Sequence, residues 1–313
     1  MSQILDHNDD NIQIAANDLL AGKLVGMPTE TVYGLAGDAT NENAIALIYR
    51  TKGRPQFNPL IVHVLDQDMA QNYVTMNDHA KNLASAFWPG PLTMVLGRKD
   101  NSGLSHLVSA GLDTLAVRCP AHPVARHLLN ATNKPLAAPS ANPSGSISPT
   151  TSQHVEQGLG QKIDHILEGG ACDKGIESTI VLVTNDKLVL LRPGSISAEQ
   201  LASATGLPVQ TKDDDSINAP GQLSSHYAPH AAVRLNAFHK MKDEVFIGFG
   251  ALDGDFNLSE TGDLEEAAAN LFKTLHMADA TGVPSIAIAP IPWTGLGIAI
   301  NDRLERAAAP REN

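Results

Sequence analysis

The chain of 313 residues contains only two cysteines, Cys119 and Cys172. They lie far apart and form no CxxC pair, so the sequence indicates neither a disulfide framework nor a cysteine zinc site. No apolar run approaches the ~18–20 residues that cross a bilayer, and the N-terminus lacks the basic start and apolar core of a signal peptide. We therefore expect a soluble cytoplasmic protein with two buried thiols and no membrane contact.

Basic residues are also scarce, because 22 Lys and Arg stand against 34 Asp and Glu, a formal net charge of −12. Binding along a nucleic-acid duplex needs dense cations that neutralise phosphates. We therefore expect no strong direct nucleic-acid binding, and any phosphate chemistry must come from a local basic cluster. Apolar residues make up 42% of the chain, which is ordinary for a globular protein, and the length predicts two domains.

Strand-like and helical patterns alternate along residues 8–210. Strands are predicted near 24–27, 60–65, 92–97, 114–119, 135–138, 163–167, 178–183 and 188–191, and helices near 12–20, 41–49, 78–88, 123–130 and after Thr150. This alternation predicts an α/β domain with a twisted mixed sheet and helices. Neither GxGxxG nor GxxxxGK[ST] occurs, so a nucleotide would have to be bound by a different motif.

Residues 211–231 are predicted to form a linker, because the segment is polar, holds three consecutive aspartates and contains Pro-Gly. Residues 232–313 then predict a second, small α/β domain. Its strands are expected near 233–235, 244–248 and 285–289, and its helices near 264–280 and 300–308.

Three segments of the first domain are rich in groups that could bind a ligand. The loop PTETVYG (28–34) carries Thr29, Glu30, Thr31 and Tyr33; it could be a binding loop or a turn whose threonines satisfy local backbone groups. The segment 50–63 carries four basic or imidazole side chains, and no acid lies between Glu42 and Asp66. Such a loop suits a polyphosphate, although a solvated basic face is the alternative.

The third segment, 136–150, is a serine-rich loop broken by Pro and Gly that leads to a helix, where small hydroxyls and backbone amides could hold an anion. A plain polar loop remains the alternative. Two lone arginines, Arg118 and Arg192, lie at strand ends, where α/β proteins gather their sites. A charge in the strand TLAVRCP is costly unless it is paired.

Together and in this order, these segments resemble the YrdC-like family of L-threonylcarbamoyladenylate synthases, in its longer two-domain form. The resemblance rests on PTETVYGL (28–35), KGRPQFNPLIVHV (52–64), the Arg118 strand, PSANPSGSISPT (139–150), GIESTIV (175–181), LRPG (191–194), PGQLSSHYAPH (220–230) and GLGIAINDRLERAA (295–308). It covers nearly the whole chain. It implies a YrdC-like twisted mixed sheet and a small Rossmann-like C-terminal domain. Because Pro-Gly can redirect the linker across the first domain, we expect the linker to cover the ATP site as a lid, with an ordinary tether as the alternative.

The resemblance implies that threonine and bicarbonate or carbon dioxide form N-carboxythreonine, whose carboxylate attacks the α-phosphorus of ATP. The product, threonylcarbamoyl-AMP, would pass to a tRNA-modifying complex that acts beside the anticodon. Mg²⁺ would accompany ATP through its phosphates, and no residue is assigned as a metal ligand.

The residue roles follow from the same resemblance. Threonine would meet Thr31, His63, Arg118, Ala138 and Ser178, and ATP would meet Arg54, Asn58, Thr114, Ser140, Ser148, Arg192 and Tyr227. From the basic run we add Lys52 as a phosphate partner, and we expect Lys52 and Arg54 to neutralise charge, with no covalent nucleophile.

Two positions depart from the family pattern: Ala36 replaces a common glycine and is expected to shift a turn, and Leu182 replaces a common acid. Two other functions stay open. YrdC-like modules of hydrogenase-maturation proteins make a carbamoyl adenylate without threonine, but those proteins carry zinc-finger segments that two cysteines cannot supply. A non-catalytic RNA-binding module would use the same basic loop and bind RNA with a steep salt dependence.

Overall fold

The computed structural model describes residues 2–211 and 226–310. Its first part contains, in chain order, β1 (Gln3–Leu5), α1 (Asp9–Leu20), β2 (Val25–Met27), β3 (Gly34–Asp38), α2 (Glu42–Lys52), β4 (Ile61–His63), α3 (Gln67–Gln71), α4 (Asp78–Phe87), β5 (Leu92–Gly97), a 3-10 helix (His106–Ser109), β6 (Thr114–Arg118), α5 (Pro123–Thr132), β7 (Leu136–Ala137), α6 (Ser152–Leu159), β8 (His165–Leu167), β9 (Thr179–Val183), β10 (Leu188–Arg192), α7 (Ala198–Thr205) and β11 (Val209–Thr211). The second part contains β12 (Ala232–Arg234), β13 (Glu244–Gly248), β14 (Phe256–Asn257), α8 (Leu264–Asp279), β15 (Ser285–Ile288) and α9 (Leu296–Ala308).

The first eleven strands form one mixed sheet in the order β1-β8-β2-β3-β7-β4-β6-β5-β9-β10-β11. Strands β4 and β6 are parallel, whereas β5 runs antiparallel to β6. This confirms the predicted mixed sheet. The second sheet is parallel, in the order β12-β15-β13-β14, with α8 and α9 packed together. It confirms a small Rossmann-like α/β domain.

Helix α2 shows how local sequence fixes an element that reaches the site. Asn41 caps its start, because the side-chain oxygen accepts hydrogen bonds from the Asn43 and Ala44 amides. The helix runs beyond the predicted end at position 49 and stops at Gly53, whose φ of 63° lies in the left-handed region that glycine tolerates. Lys52 therefore lies in the last helical turn, not in a loop.

Strand β3 was not predicted, and its composition explains why. The segment GLAGD lacks the β-branched residues typical of strands, but a side chain at Gly34 would come within 3.0 Å of the Ala138 Cβ atom, and one at Gly37 within 3.0 Å of Leu24. Ala36 is fully buried in this strand, opposite Val25. The expectation that Ala36 shifts a turn is therefore wrong, since no turn lies there.

The two parts share apolar packing. Val32, Ile147 and Ile176 of the first part lie in one buried cluster with Tyr227 and with Phe272 of α8.

The first domain begins earlier than predicted, because β1 joins the first sheet ahead of the predicted start at residue 8. Most of the predicted linker, residues 212–225, lies outside the described residues. In the described part of the chain, no helix is both long and apolar enough to cross a membrane.

Candidate active site

A buried cavity lies beside the carboxyl ends of β4 and β6. These strands are parallel and pair His63 with Arg118, so both side chains reach the same edge of the sheet. The residues predicted from the sequence that line the cavity are Thr31, Arg54, His63, Arg118, Ala138, Ser140, Ser178, Arg192 and Tyr227. Residues distant in sequence thus meet in one place.

Arg118 is held rigidly at one side of this cavity. Its Nη2 donates to Glu30 Oε1 at 2.6 Å, its Nη1 to Thr31 Oγ1 at 2.8 Å, and its Nε to the Gly90 carbonyl at 3.3 Å. These bonds use three of the five N–H groups of a guanidinium. The two remaining N–H groups are available to a carboxylate in the cavity that Arg118 lines.

Glu30 compensates the buried charge of Arg118. Burial alone would raise the pKa of the Glu30 carboxyl, but the adjacent Arg118 outweighs burial and lowers it. The second oxygen, Oε2, accepts a hydrogen bond from the Ala121 amide at 3.1 Å. Glu30 is therefore an ionised positioning group for Arg118, a role that the sequence did not predict.

The threonines of the 28–34 loop divide between two roles. Thr29 Oγ1 donates to the Val32 carbonyl at 2.6 Å, as expected of a turn threonine, whereas Thr31 supports Arg118. Tyr33 points elsewhere, since its hydroxyl donates to the Gly170 carbonyl at 2.9 Å. Thr29 therefore fits the interpretation of the loop as a turn, and Thr31 fits its interpretation as a binding loop.

His63 is buried, and its Nδ1 has no hydrogen-bond partner among the described residues. Burial, followed by the neighbouring Arg118, lowers the pKa of His63 to about 3. The imidazole is neutral near pH 7, and its unpartnered Nδ1 is available for a hydrogen bond to a ligand. This suits a group that contacts a substrate hydroxyl.

The low pKa of His63 predicts a pH dependence of stability. Because the unfolded histidine, with a pKa near 6.5, binds a proton that the folded one refuses, the free energy of unfolding should fall as pH drops from 6.5 towards 3. The contribution is about 1.4 kcal/mol per pH unit. Urea unfolding of the wild type and of His63→Gln between about pH 7 and about pH 5 checks this. An equal decrease in both proteins would contradict it.

Arg54 and Arg192 form a second basic part of the cavity lining. Arg54 Nη2 donates to Asn58 Oδ1 at 2.6 Å and to the Pro59 carbonyl at 2.8 Å, and Arg192 donates to the carbonyl and hydroxyl oxygens of Ser178. Within residues 2–211 and 226–310, no carboxylate pairs with either guanidinium. Burial lowers the pKa of Arg54 to about 10, so it remains charged at neutral pH. This part of the lining therefore carries excess positive charge.

The structure does not bring Lys52 to the cavity wall. Its Nζ is buried and donates to the carbonyls of Ser140 and Asn142 at 2.6 and 2.5 Å. Burial, and next the nearby Arg54, hold the pKa of Lys52 well below its usual range. Lys52, Arg54 and His63 are thus buried, whereas Arg50 is exposed, and Lys52 fixes the 140–142 backbone.

Three other predicted residues lie outside the lining. Asn58 orients Arg54, and the Ser148 hydroxyl donates to Glu177 Oε1 at 2.5 Å. Thr114 begins β6, four residues before Arg118, which corresponds to about 13 Å along a strand. Their roles towards a ligand stay predictions.

His226 and Tyr227, at the far end of the predicted linker, form one wall of the cavity. Both are buried, and neither His226 Nδ1 nor the Tyr227 hydroxyl has a partner in the described part of the chain. The backbone at Tyr227 has a φ of 63°, which is unfavourable for a residue with a large side chain. Burial, and then the cations around it, lower the pKa of His226 well below its usual range.

Glu177 and Arg303 are functional candidates that residue-by-residue reasoning missed. Glu177 lines the cavity, and Arg303, from α9, pairs with it at 3.1 Å. Glu177 belongs to the motif GIESTIV and Arg303 to the motif GLGIAINDRLERAA; in the sequence, only these motifs pointed to the two residues. Among the residues that the structure describes, no group of three or more His, Cys, Asp or Glu side chains is arranged to hold a metal ion.

These features are typical of an α/β enzyme that binds anionic substrates: a guanidinium paired with Glu30 and two guanidiniums without a described carboxylate partner line one cavity. Comparison with known proteins agrees with this class. The family model described as "Telomere recombination" matches residues 17–194, and that described as "Threonylcarbamoyl-AMP synthase, C-terminal domain" matches residues 196–309.

Relatives and solved structures match over nearly the whole chain. The threonylcarbamoyl-AMP synthase of Pyrococcus abyssi is 40% identical over 96% of this chain and 94% of its own, and that of Bacillus subtilis is 37% identical over 98% and 95%. The crystal structure of Pyrococcus abyssi Sua5 complexed with L-threonine is similar with a TM-score of 0.90 and 37% identity, covering 98% of each chain. The chain belongs to the threonylcarbamoyl-AMP synthase family, whose members are enzymes of the nucleotidyltransferase type.

Proposed function

We propose that this cavity converts L-threonine, bicarbonate or carbon dioxide, and ATP into threonylcarbamoyl-AMP and pyrophosphate. The observation that carries the proposal is the division of charge in the cavity. Arg118 is compensated by Glu30 and keeps two free donors, whereas Arg54 and Arg192 have no carboxylate partner among the described residues. One side thus suits a single carboxylate, and the other suits a polyphosphate.

On the first side, Arg118 binds the threonine carboxylate with its remaining N–H groups. Thr31, the neutral His63, Ser178 and the backbone at Ala138 contact the other polar groups of the amino acid. The threonine nitrogen attacks the carbon of CO₂, a nitrogen–carbon bond forms, and the nitrogen loses a proton. The carbamate carboxylate produced is the nucleophile of the next step, so no protein nucleophile is needed.

On the second side, Arg54 and Arg192 neutralise the triphosphate, with Ser140 and Tyr227 at the cavity wall and Asn58, Ser148 and Thr114 as further candidates. The carbamate oxygen attacks the α-phosphorus, the bond to the bridging oxygen breaks, and pyrophosphate leaves with the electron pair. Catalysis consists of positioning and charge neutralisation. The triphosphate would carry Mg²⁺ on its own oxygens, because Glu30 and Glu177, the carboxylates described beside the cavity, are bonded to arginines.

We further propose that residues 211–231 act as a lid over bound ATP; of these, residues 211 and 226–231 are described. Ala228 N donates to the Gly145 carbonyl at 2.8 Å, and His226 N to the Arg306 carbonyl at 3.1 Å, so the end of this segment touches both domains. A closed segment would exclude water from the labile carbamate, and opening would release the product.

Limited proteolysis near Tyr227 tests the lid. We expect cleavage to slow when ATP and threonine are both present, because the ligands hold the segment closed. A variant that ends at residue 210 is expected to lose most of its turnover. Ligand-insensitive cleavage together with full-length rates in the shortened variant would contradict the lid.

Formation of the product tests the proposed reaction. With ¹³C-bicarbonate, threonine and MgATP, mass spectrometry should detect a labelled threonylcarbamoyl-AMP, and omission of threonine should abolish it. Unlabelled threonyl-AMP as the only adenylate would contradict the reaction. We propose that the product then passes, in the cytoplasm, to a complex that modifies tRNA.

A further inference from the structure

Arg303 is buried with 1% exposure, although it carries a permanent charge and belongs to the C-terminal domain. Its Nη1 donates to the Pro193 carbonyl at 2.6 Å and to Asp302 Oδ2 at 3.0 Å. Its Nε donates to Glu177 Oε2 at 3.1 Å. A buried guanidinium is costly unless it is paired, and two of these partners, Pro193 and Glu177, belong to the first domain.

Glu177 connects Arg303 to the cavity. Its Oε1 accepts the Ser148 hydroxyl at 2.5 Å, and Glu177 itself lies in the same lining as Arg54 and Arg192. An uncompensated carboxylate in this wall would repel a triphosphate, and the repulsion would be strong in a site shielded from water. Among the described residues, Arg303 is the cation at ion-pair distance from Glu177.

The same guanidinium also reaches the end of the linker. Its central carbon lies 5.8 Å from the centroid of the Tyr227 ring, a cation–π contact. One side chain of the C-terminal domain therefore contacts both the carboxylate and the aromatic wall of the proposed ATP side.

We propose that Arg303 is a positioning residue for ATP: it neutralises Glu177, orients Ser148 through it, and so makes the C-terminal domain part of the nucleotide site. The inference rests on the proposed function, because it places the triphosphate in this cavity. The C-terminal domain would then take part in ATP binding through Arg303.

Kinetics of charge variants test the inference. In Arg303→Gln we expect the KM for ATP to rise about tenfold or more, because Glu177 is left unpaired near the phosphates. The KM for threonine should change far less. Arg303→Lys keeps the charge but loses the planar set of donors, so its KM for ATP should rise less than that of Arg303→Gln. The double variant E177Q/R303Q, which removes both charges, should recover most of the ATP affinity.

Arg234→Gln provides a matched control. Arg234 pairs with Glu244 at 2.6 Å in the same domain, away from the cavity lining. Its loss should lower the thermal midpoint, Tm, without changing the KM for ATP.

A wild-type KM for ATP in Arg303→Gln would overturn the inference. So would a double variant no better than the single one, because packing and not charge would then be responsible. If Arg303→Gln does not fold, the test rests on the double variant, which buries neither charge. A KM for ATP about tenfold above the wild type in that variant would contradict the proposal. A wild-type enzyme without threonine-dependent turnover would instead contradict the proposed function.

Discussion

Replacement of Arg118 by alanine is expected to raise the KM for threonine about ten- to hundred-fold, since a charge-assisted contact to a buried carboxylate contributes roughly 1.5–3 kcal/mol. The affinity for ATP should change little, because Arg54 and Arg192, the residues proposed to bind the triphosphate, remain in the cavity lining. Steady-state kinetics with each substrate varied in turn separates the two effects.

The fixed geometry of Arg118 makes a sharper comparison possible. Alanine at this position leaves Glu30 buried without its partner at 2.6 Å, so part of the loss could come from that carboxylate. The double variant E30Q/R118A removes both charges and should recover stability but not threonine affinity. An unchanged KM for threonine in Arg118→Ala would refute the role of Arg118.

Replacement of Arg54 by alanine is the second large effect that we expect. It removes a buried cation without a carboxylate partner in the described chain, so the KM for ATP should rise and kcat should fall, together by about a hundredfold in kcat/KM. Asn58, which accepts from Arg54 at 2.6 Å, should show a smaller effect of the same kind in Asn58→Ala.

Lys52→Ala serves as the comparison for Arg54→Ala. Because Lys52 bonds the carbonyls of Ser140 and Asn142, its loss should lower the Tm as well as turnover, whereas Arg54→Ala should lower mainly turnover. Wild-type rates in both variants would show that the basic segment has no part in the reaction.

Much of the site could be predicted from the sequence because its residues are unusual for their local surroundings. Arg118 stands in an apolar strand, where a charge must have a partner, and 50–63 is an acid-free segment in an acidic chain. The motifs that carry the family resemblance then assigned a ligand to each residue. Local reasoning could not decide which side chains point into the cavity. Lys52 and Arg54 are two positions apart, yet of the two only Arg54 lines the cavity.

The partners of these charges were harder to predict, because they depend on tertiary contacts. Glu177 and Arg303 are 126 positions apart, and Arg303 lies in a helix whose other charged residues look like an ordinary solvated face. Strand β3 was missed because its glycines have a low strand propensity; they are needed there for close packing against neighbouring side chains. Leu182 lies in β9 opposite Val189, where a leucine packs on the sheet.

The order of the reaction is tested most directly by ATP–pyrophosphate exchange in CO₂-depleted buffer. The carboxylate that attacks ATP exists only after threonine has reacted with carbon dioxide, so exchange should require both threonine and added bicarbonate. Exchange with ATP and threonine alone, at the same rate as with bicarbonate, would mean that the enzyme activates threonine itself and would contradict the account.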